Sequence, residues 1–256
     1  VGNLDGKVVV ITGAAQGLGE ADARILTERG ARVVMTDIND ERGEAVAKDI
    51  GADYRHQDVS DEDSWDELMS HINARYDRLD VLVNNAGIAV IANIESTTTQ
   101  QWSQTLNIHL NGTFFGCQRA VQLMKKDQQG GSIINMSSVV ALQGYADYIA
   151  YAAAKGAIRS MTKSIAAHCL AKGYNIRCNS IYPGSISTPM VHAALAHSAG
   201  IDFEAAQDPE ALRLQLGIGE PNDVAHMVAF LASDEAKHIN AAEFVVDNGM
   251  SSVVRT

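Results

Sequence analysis

Apolar and polar positions alternate in blocks along this chain. Short β-branched runs are followed by amphipathic stretches of helical period. Residues 7–12 (KVVVIT) read as a buried parallel strand that ends at a glycine turn, and 17–29 read as the helix after it. The run 32–36 (RVVMT) is a second strand ending at Asp37, followed by a helix over 40–50. Residues 53–58 (DYRHQD) form a weaker strand. The acidic stretch DEDSWDEL at 61–68 suits the first turn of a helix, where carboxylates meet the positive end of the dipole. Strands are predicted at 80–83, 131–136, 175–181 and 243–247. A long helix is predicted over roughly 101–126 and an alanine-rich one over 150–172. Such βαβα alternation implies an α/β fold, a parallel sheet with helices on both faces.

Proline placement sharpens this picture. All four prolines (Pro183, Pro189, Pro209, Pro221) follow residue 182, so nothing earlier must break a helix or strand. No repeat or linker divides the chain, and residues 1–256 are expected to form one domain. The stretch 189–217 reads as a substrate lid holding one or two short helices.

Composition narrows the function. The chain is 46% hydrophobic and 20% charged, enough to bury a core. Lys+Arg 20 against Asp+Glu 31 leaves a net charge of −11, which disfavours nucleic acid as a partner. No apolar run is long enough to span a bilayer, so no membrane association is expected. The start VGNLDGKVVVITG lacks a signal-peptide pattern, and Cys117, Cys169 and Cys178 form no CxxC pair. A reducing, cytoplasmic location is therefore expected. The eight histidines show no HExxH, and no metal is required.

The chemistry begins at TGAAQGLG, residues 12–19, where the first strand meets the first helix. Gly13 permits a tight turn, Gly17 lets backbone N–H groups approach a pyrophosphate, and Gly19 lets helix and sheet pack closely. Gln16 and Leu18 lie within the same turn and count with it as cofactor-binding. Asp37 ends the second strand, where a carboxylate can accept from both adenosine ribose hydroxyls and repel a 2′-phosphate. With no Lys or Arg at Ala14, Ala15 or Ile38, this favours NAD over NADP. Ile38, Asp58 and Val59 are placed beside the adenosine, although Asp58 serves equally well as a helix cap. The small residues of NNAG, 84–87, would let a cofactor pass close to the backbone.

Tyr151 and Lys155 stand four apart on one helix face. A nearby ammonium is expected to lower the phenol's pKa and suit Tyr151 to general acid/base work. Ser138, just after a strand, can donate to a substrate carbonyl. Ser137 is its neighbour, and strand alternation turns only one of the two to the site. Together these residues describe hydride transfer coupled to proton transfer between a secondary alcohol and its ketone. NMSSV is not the nucleophile elbow of a hydrolase.

The motifs TGAAQGLG, NNAG, Ser138, Tyr151 with Lys155, and PGSISTPM at 183–190 occur in an order that resembles the short-chain dehydrogenase/reductase family, compact single-domain type. The likeness runs from about residue 5 to residue 250. It implies a doubly wound Rossmann-type sheet of seven parallel strands and a homotetramer joined through the helices near 101–126 and 150–172. It also implies that Asn85, Ala86 and Gly87 line the cofactor cleft, and that Pro183, Gly184, Ile186 and Thr188 meet the nicotinamide half. Lys155 would hold the nicotinamide ribose beside Tyr151. His109 departs from the pattern: it stands where the family usually carries an asparagine whose water connects the catalytic lysine to solvent. It is counted as a catalytic candidate, with an altered relay.

The segments GCQRAVQLMKK (116–126), GGSIINMSSV (130–139) and GYNIRCNSIYPGSISTPM (173–190) are similar to bacterial 3β/17β-hydroxysteroid dehydrogenases. Val140, Leu142, Gln143, Tyr145, Tyr148, Val191, Ala194 and Leu195 are expected to border a mostly apolar substrate pocket. It would suit a steroid, an alicyclic alcohol or an aryl ketone. A 3-oxoacyl thioester reductase and a non-catalytic dinucleotide-binding scaffold are the alternatives.

Overall fold

The computed structural model of the protein describes residues 4–126, 130–203 and 205–253. Its centre is one sheet of seven parallel strands in the order β3-β2-β1-β4-β5-β6-β7. The strands are β1 Val8–Thr12, β2 Arg32–Asp37, β3 Asp53–His56, β4 Val81–Asn84, β5 Gly131–Met136, β6 Ile176–Pro183 and β7 Glu243–Val246. Helices α1 (Gly17–Glu28), α2 (Asp40–Ile50), α3 (Glu62–Tyr76), α4 (Thr99–Leu106), α5 (Gly112–Met124) and α6 (Ile149–Ala171) make the crossovers as far as β6. Helices α7 (Pro189–Ala199), α8 (Pro209–Leu216) and α9 (Pro221–Ala232) follow it.

Successive side chains of a strand point to opposite faces, so a strand covered on both sides feeds two cores. In β1, Val9 and Ile11 pack with Ala23 and Leu26 of α1, Val46 of α2, and Val224 and Val228 of α9. Val8 and Val10 of the same strand face the other way. There they join Trp65 and Ile72 of α3, Ala120 of α5 and Ala166 of α6. Burying the Trp65 indole would strand its N–H, which instead donates to the Val59 carbonyl at 2.9 Å. The three thiols are free and buried.

The strand order reverses direction between β1 and β4. Loops leaving the carboxyl ends of these two strands part there and leave a crevice, the usual ligand position of an open α/β sheet. The sequence predicts one helix over 101–126. The structure divides it into α4, a π-helical turn at Asn107–Asn111, and α5. His109 lies within that turn. Of the expected lid, α7 and α8 are helical, and a bridge between Ile186 and Gly219 ties its two ends together.

Candidate active site

A cleft of about 420 Å³ opens at the carboxyl edge of the sheet. Gly13, Gln16, Gly17 and Leu18 form one wall, Asp37, Ile38, Asp58 and Val59 lie at one end, and Asn85, Ala86 and Gly87 form the floor. His109, Ser138, Tyr151 and Lys155 stand at the other end, with Pro183, Gly184, Ile186 and Thr188 beside them.

The glycine turn explains how a long anionic ligand could fit. Gly13 and Gly17 have φ of 63° and 62°, a left-handed conformation that glycine adopts without strain. A Cβ on Gly13 would also lie 2.7 Å from the Ala86 Cα, so the loops after β1 and β4 meet only because it is absent. Gly19 packs α1 against the turn itself, where a Cβ would overlap the Gly13 carbonyl. Asn85 clasps these loops by donating to the carbonyls of Thr12 at 2.9 Å and Gly13 at 3.0 Å. The N-cap residue of α1, Gln16, makes no side-chain capping bond. Helix α1 thus presents its first N–H groups, and the positive end of its dipole, without a side-chain cap at the cleft wall. These residues fit the pyrophosphate of a dinucleotide.

The Asp37 carboxylate accepts from the backbone N–H groups of Ala15 and Asn39, each at 3.0 Å. Arg42 is the nearby cation that the sequence reading did not identify. Its Nε donates to the Ala15 carbonyl at 2.7 Å, and its guanidinium pairs with Glu20 at 3.2 Å. Asp58 lines the cleft but does not cap the next helix: Asp61 caps α3 by accepting from the Asp63 N–H at 3.1 Å, while Asp58 accepts from Ser60 N–H at 2.9 Å in the turn before it.

At the reacting end, Ser137 and Ser138 separate as strand alternation requires. The Ser137 hydroxyl turns to α6 and donates to the Lys155 carbonyl at 3.0 Å. Ser138 reaches the Tyr151 phenol and draws its pKa down. Burial outweighs that effect, and the phenol is pushed up to about 12. The expectation that Lys155 lowers the phenol's pKa is therefore overturned, since burial sets its direction. The Lys155 ammonium lies 5.4 Å from the centre of the phenol ring and donates to the Met136 carbonyl at 2.6 Å. Burial pulls Lys155 itself down to about 7, so much of its own charge is lost near neutrality.

His109 is buried, and its ring meets Tyr151 edge-on with centroids 5.1 Å apart. Its Nε2 lies 2.7 Å from the Ile88 carbonyl and 3.0 Å from the Ile88 N–H, while Nδ1 has no partner. Nε2 donates to the carbonyl or accepts from the N–H according to the tautomer. Burial first, then the charge of Lys155, pushes its pKa down to about 3. Gly87 makes room for this ring, since a Cβ there would overlap it.

The expected substrate residues divide. Val191 lines the cleft. Val140, Leu142, Gln143, Tyr145, Tyr148, Ala194 and Leu195 are not among its walls. Tyr148 extends an aromatic row from Tyr151 to Tyr145, whose hydroxyl meets the Gln143 amide at 2.6 Å. The sequence reading missed Ile88, Ile108, Met136 and Met190, which add apolar wall. Ile88 directly follows NNAG and Ile108 directly precedes His109, so adjacency to the motifs was the available signal.

The chain resembles known proteins over nearly its whole length. A family model described as enoyl-(acyl carrier protein) reductase matches residues 13–251. The chain is 41% identical to an NADP-dependent (R)-specific alcohol dehydrogenase of Lentilactobacillus kefiri, over 97% of this chain and 98% of that one. It is 36% identical to a 3-beta-hydroxysteroid dehydrogenase of Comamonas testosteroni, over 96% of each. Among solved structures, levodione reductase superposes with a TM-score of 0.88 at 30% identity, covering 98% of this chain and 100% of that one.

Proposed function

The chain belongs to the short-chain dehydrogenase/reductase family, and from that premise we propose an NAD-dependent enzyme that interconverts a hydrophobic secondary alcohol and its ketone. The observation that carries the reading is the meeting of Ser138, Tyr151 and Lys155 at one end of a cleft whose other end holds Asp37.

The residues divide the work. The first turn of α1 and the glycines before it bind a pyrophosphate, and Asp37 takes the adenosine ribose hydroxyls. Lys155 reaches the second ribose, and Thr188 the carboxamide. When bound, the oxidised coenzyme supplies a hydride acceptor and a positive charge. Ser138 holds the substrate oxygen, and Tyr151 takes its proton as the carbinol is oxidised or returns it as the ketone is reduced. A phenol at about 12 is a strong base once ionised. Nearby positive charge favours the ionised form.

Asp37 supports NAD over NADP, since a carboxylate facing a 2′-phosphate is repulsive and Arg42 is engaged by Glu20 and Ala15. The NADP dependence in the name of the Lentilactobacillus kefiri relative is a property of that protein. Ile88, Ile108, Met190 and Val191 favour an apolar substrate. A 3-oxoacyl thioester on a phosphorylated carrier would be helped by a free cation at the lid. Arg213 is instead paired with Glu220 at 3.0 Å and bonded to the Ile218 carbonyl at 2.7 Å.

The test is turnover of NAD with a panel of secondary alcohols, followed by absorbance of NADH. Tyr151→Phe is expected to abolish turnover, by about a thousandfold or more, with NADH affinity nearly unchanged. Loss of affinity together with turnover would assign Tyr151 a structural role, and a wild-type protein that binds NADH yet oxidises nothing would favour a scaffold.

A further inference from the structure

Asp37 is gripped at both its carboxylate and its backbone. Besides the two N–H groups on its carboxylate, its carbonyl accepts from Gln57 N–H at 2.9 Å and from the Tyr54 hydroxyl at 2.9 Å. The same hydroxyl lies 2.9 Å from the Asp40 carboxylate, which is in turn 2.9 Å from His56 Nδ1. One phenolic proton is therefore shared between the backbone of Asp37 and a second acid three residues on. Carbonyl and carboxylate of Asp37 hang on one short stretch of chain, so fixing the first restricts where the second points.

The ring that carries this hydroxyl has been given room. It lies across Gly43 in α2, where any Cβ would overlap it. Glycine in a helix interior is destabilising relative to alanine, so helix propensity argues against Gly43. The Tyr54 ring supplies the reason for it. An apolar ring alone would need no hydroxyl. Burial, then Asp40, raises the pKa of this phenol, and Asp37 and Glu44 add to the effect. It stays protonated, a constant donor, across the working range.

We propose that Tyr54 is a positioning residue that aims Asp37 at the coenzyme's adenosine ribose and so sets how strongly the protein prefers NAD to NADP. The proposal rests on the reading of Asp37 given above. Losing the hydroxyl loosens the carboxylate, which weakens its ribose bonds and relaxes its opposition to a 2′-phosphate. The preference between the two coenzymes then narrows, which a general loss of stability would not produce.

The experiment is calorimetric titration of the whole protein with NADH and with NADPH, alongside its melting temperature without coenzyme. Tyr54→Phe is expected to raise the NADH Kd roughly three- to tenfold, the range one hydrogen bond commands, with no weakening of NADPH. Gly43→Ala, which displaces the ring while improving helix propensity, is expected to narrow the NADH/NADPH ratio in the same sense. Asp37→Ala is the control and should nearly abolish the preference. If Asp37→Ala does so while Tyr54→Phe keeps the wild-type ratio, the role of Tyr54 is refuted and that of Asp37 stands. Equal weakening of both coenzymes in Tyr54→Phe, with a fall in melting temperature, would reduce Tyr54 to a structural residue. An unchanged ratio in Asp37→Ala would remove the coenzyme reading and this proposal with it.

Discussion

The Asp22 carboxyl is wholly buried in α1, and neither oxygen has a hydrogen-bond partner. Burial raises its pKa well above the ordinary carboxylate value, so it folds as the neutral acid. The stability consequence follows by linkage. Below the unfolded pKa both states are protonated and folding loses nothing. As pH rises from there toward the folded pKa, the unfolded chain gains an ionised, hydrated carboxylate that the folded chain lacks, and stability falls. Asp22→Asn removes that titration at nearly constant volume. It is expected to stabilise the protein at pH 7 relative to wild type, with the gain fading toward pH 4. Denaturant unfolding at both pH values checks this, and an equal effect at both would refute it. At the active site, His109 is neutral in the working range, so His109→Asn should leave the pH profile of turnover between 5 and 9 unchanged in shape. A limb that disappears near pH 6–7 would show that His109 titrates there. Gly87→Ala, by contrast, drives a methyl into the His109 ring and through it against Tyr151. Turnover should fall more than tenfold, the order that misplacement at a reacting centre produces.

At the scale of elements, the π-helical turn matters most. Nothing in the residues 101–126 breaks a helix, and they read as one continuous helix. At the turn Asn107–Asn111, His109 meets the backbone of Ile88, and the following Gly112 packs against Val59, both on other elements. Such contacts come from neighbouring elements and leave no mark on local periodicity. Helix α9 is the opposite case. Pro221 in its first turn, the reciprocal capping of Glu220 and Asp223, and the run VAHMVAFLA were all legible signals, yet the periodicity reading above assigns no helix there. The lid helices are short and bury no residue completely, so local clasps decide their position. Arg213 is one, joining Glu210, Glu220 and the Ile218 carbonyl. Arg213→Ala should raise the KM for the alcohol about two- to fivefold with NADH affinity unchanged, as for the loss of one charge-assisted bond. Unaltered steady-state kinetics would mean that the clasp does not control the lid.

For the whole molecule, the remaining exposed apolar surface bears on assembly. Trp102 of α4 and Phe114 of α5 are 38% and 45% exposed, and Leu170 of α6 is 74% exposed. We propose that these helices join copies of the chain into the tetramer that the sequence resemblance implies. Phe114→Asp should then yield smaller species by size exclusion with light scattering, and an unchanged mass would direct the search to another face. Among the described residues no helix is long and apolar enough to cross a membrane.

The sequence by itself determined the parallel sheet and the glycine turn, and it marked Ser138, Tyr151, Lys155 and Asp37 as candidates. Strand period, turn chemistry and motif spacing are local properties, written within a few residues of one another. Only the tertiary structure decided which groups share a cleft and what burial does to them. It turned Ser137 away, moved the phenol's pKa up where spacing alone suggested down, and left most of the expected substrate residues outside the cleft. It also brought Tyr54 to Asp37 and Arg42 to Ala15 and Glu20 from other elements. Desolvation depends on everything packed around a group, and that sum exists only once the chain has closed on itself.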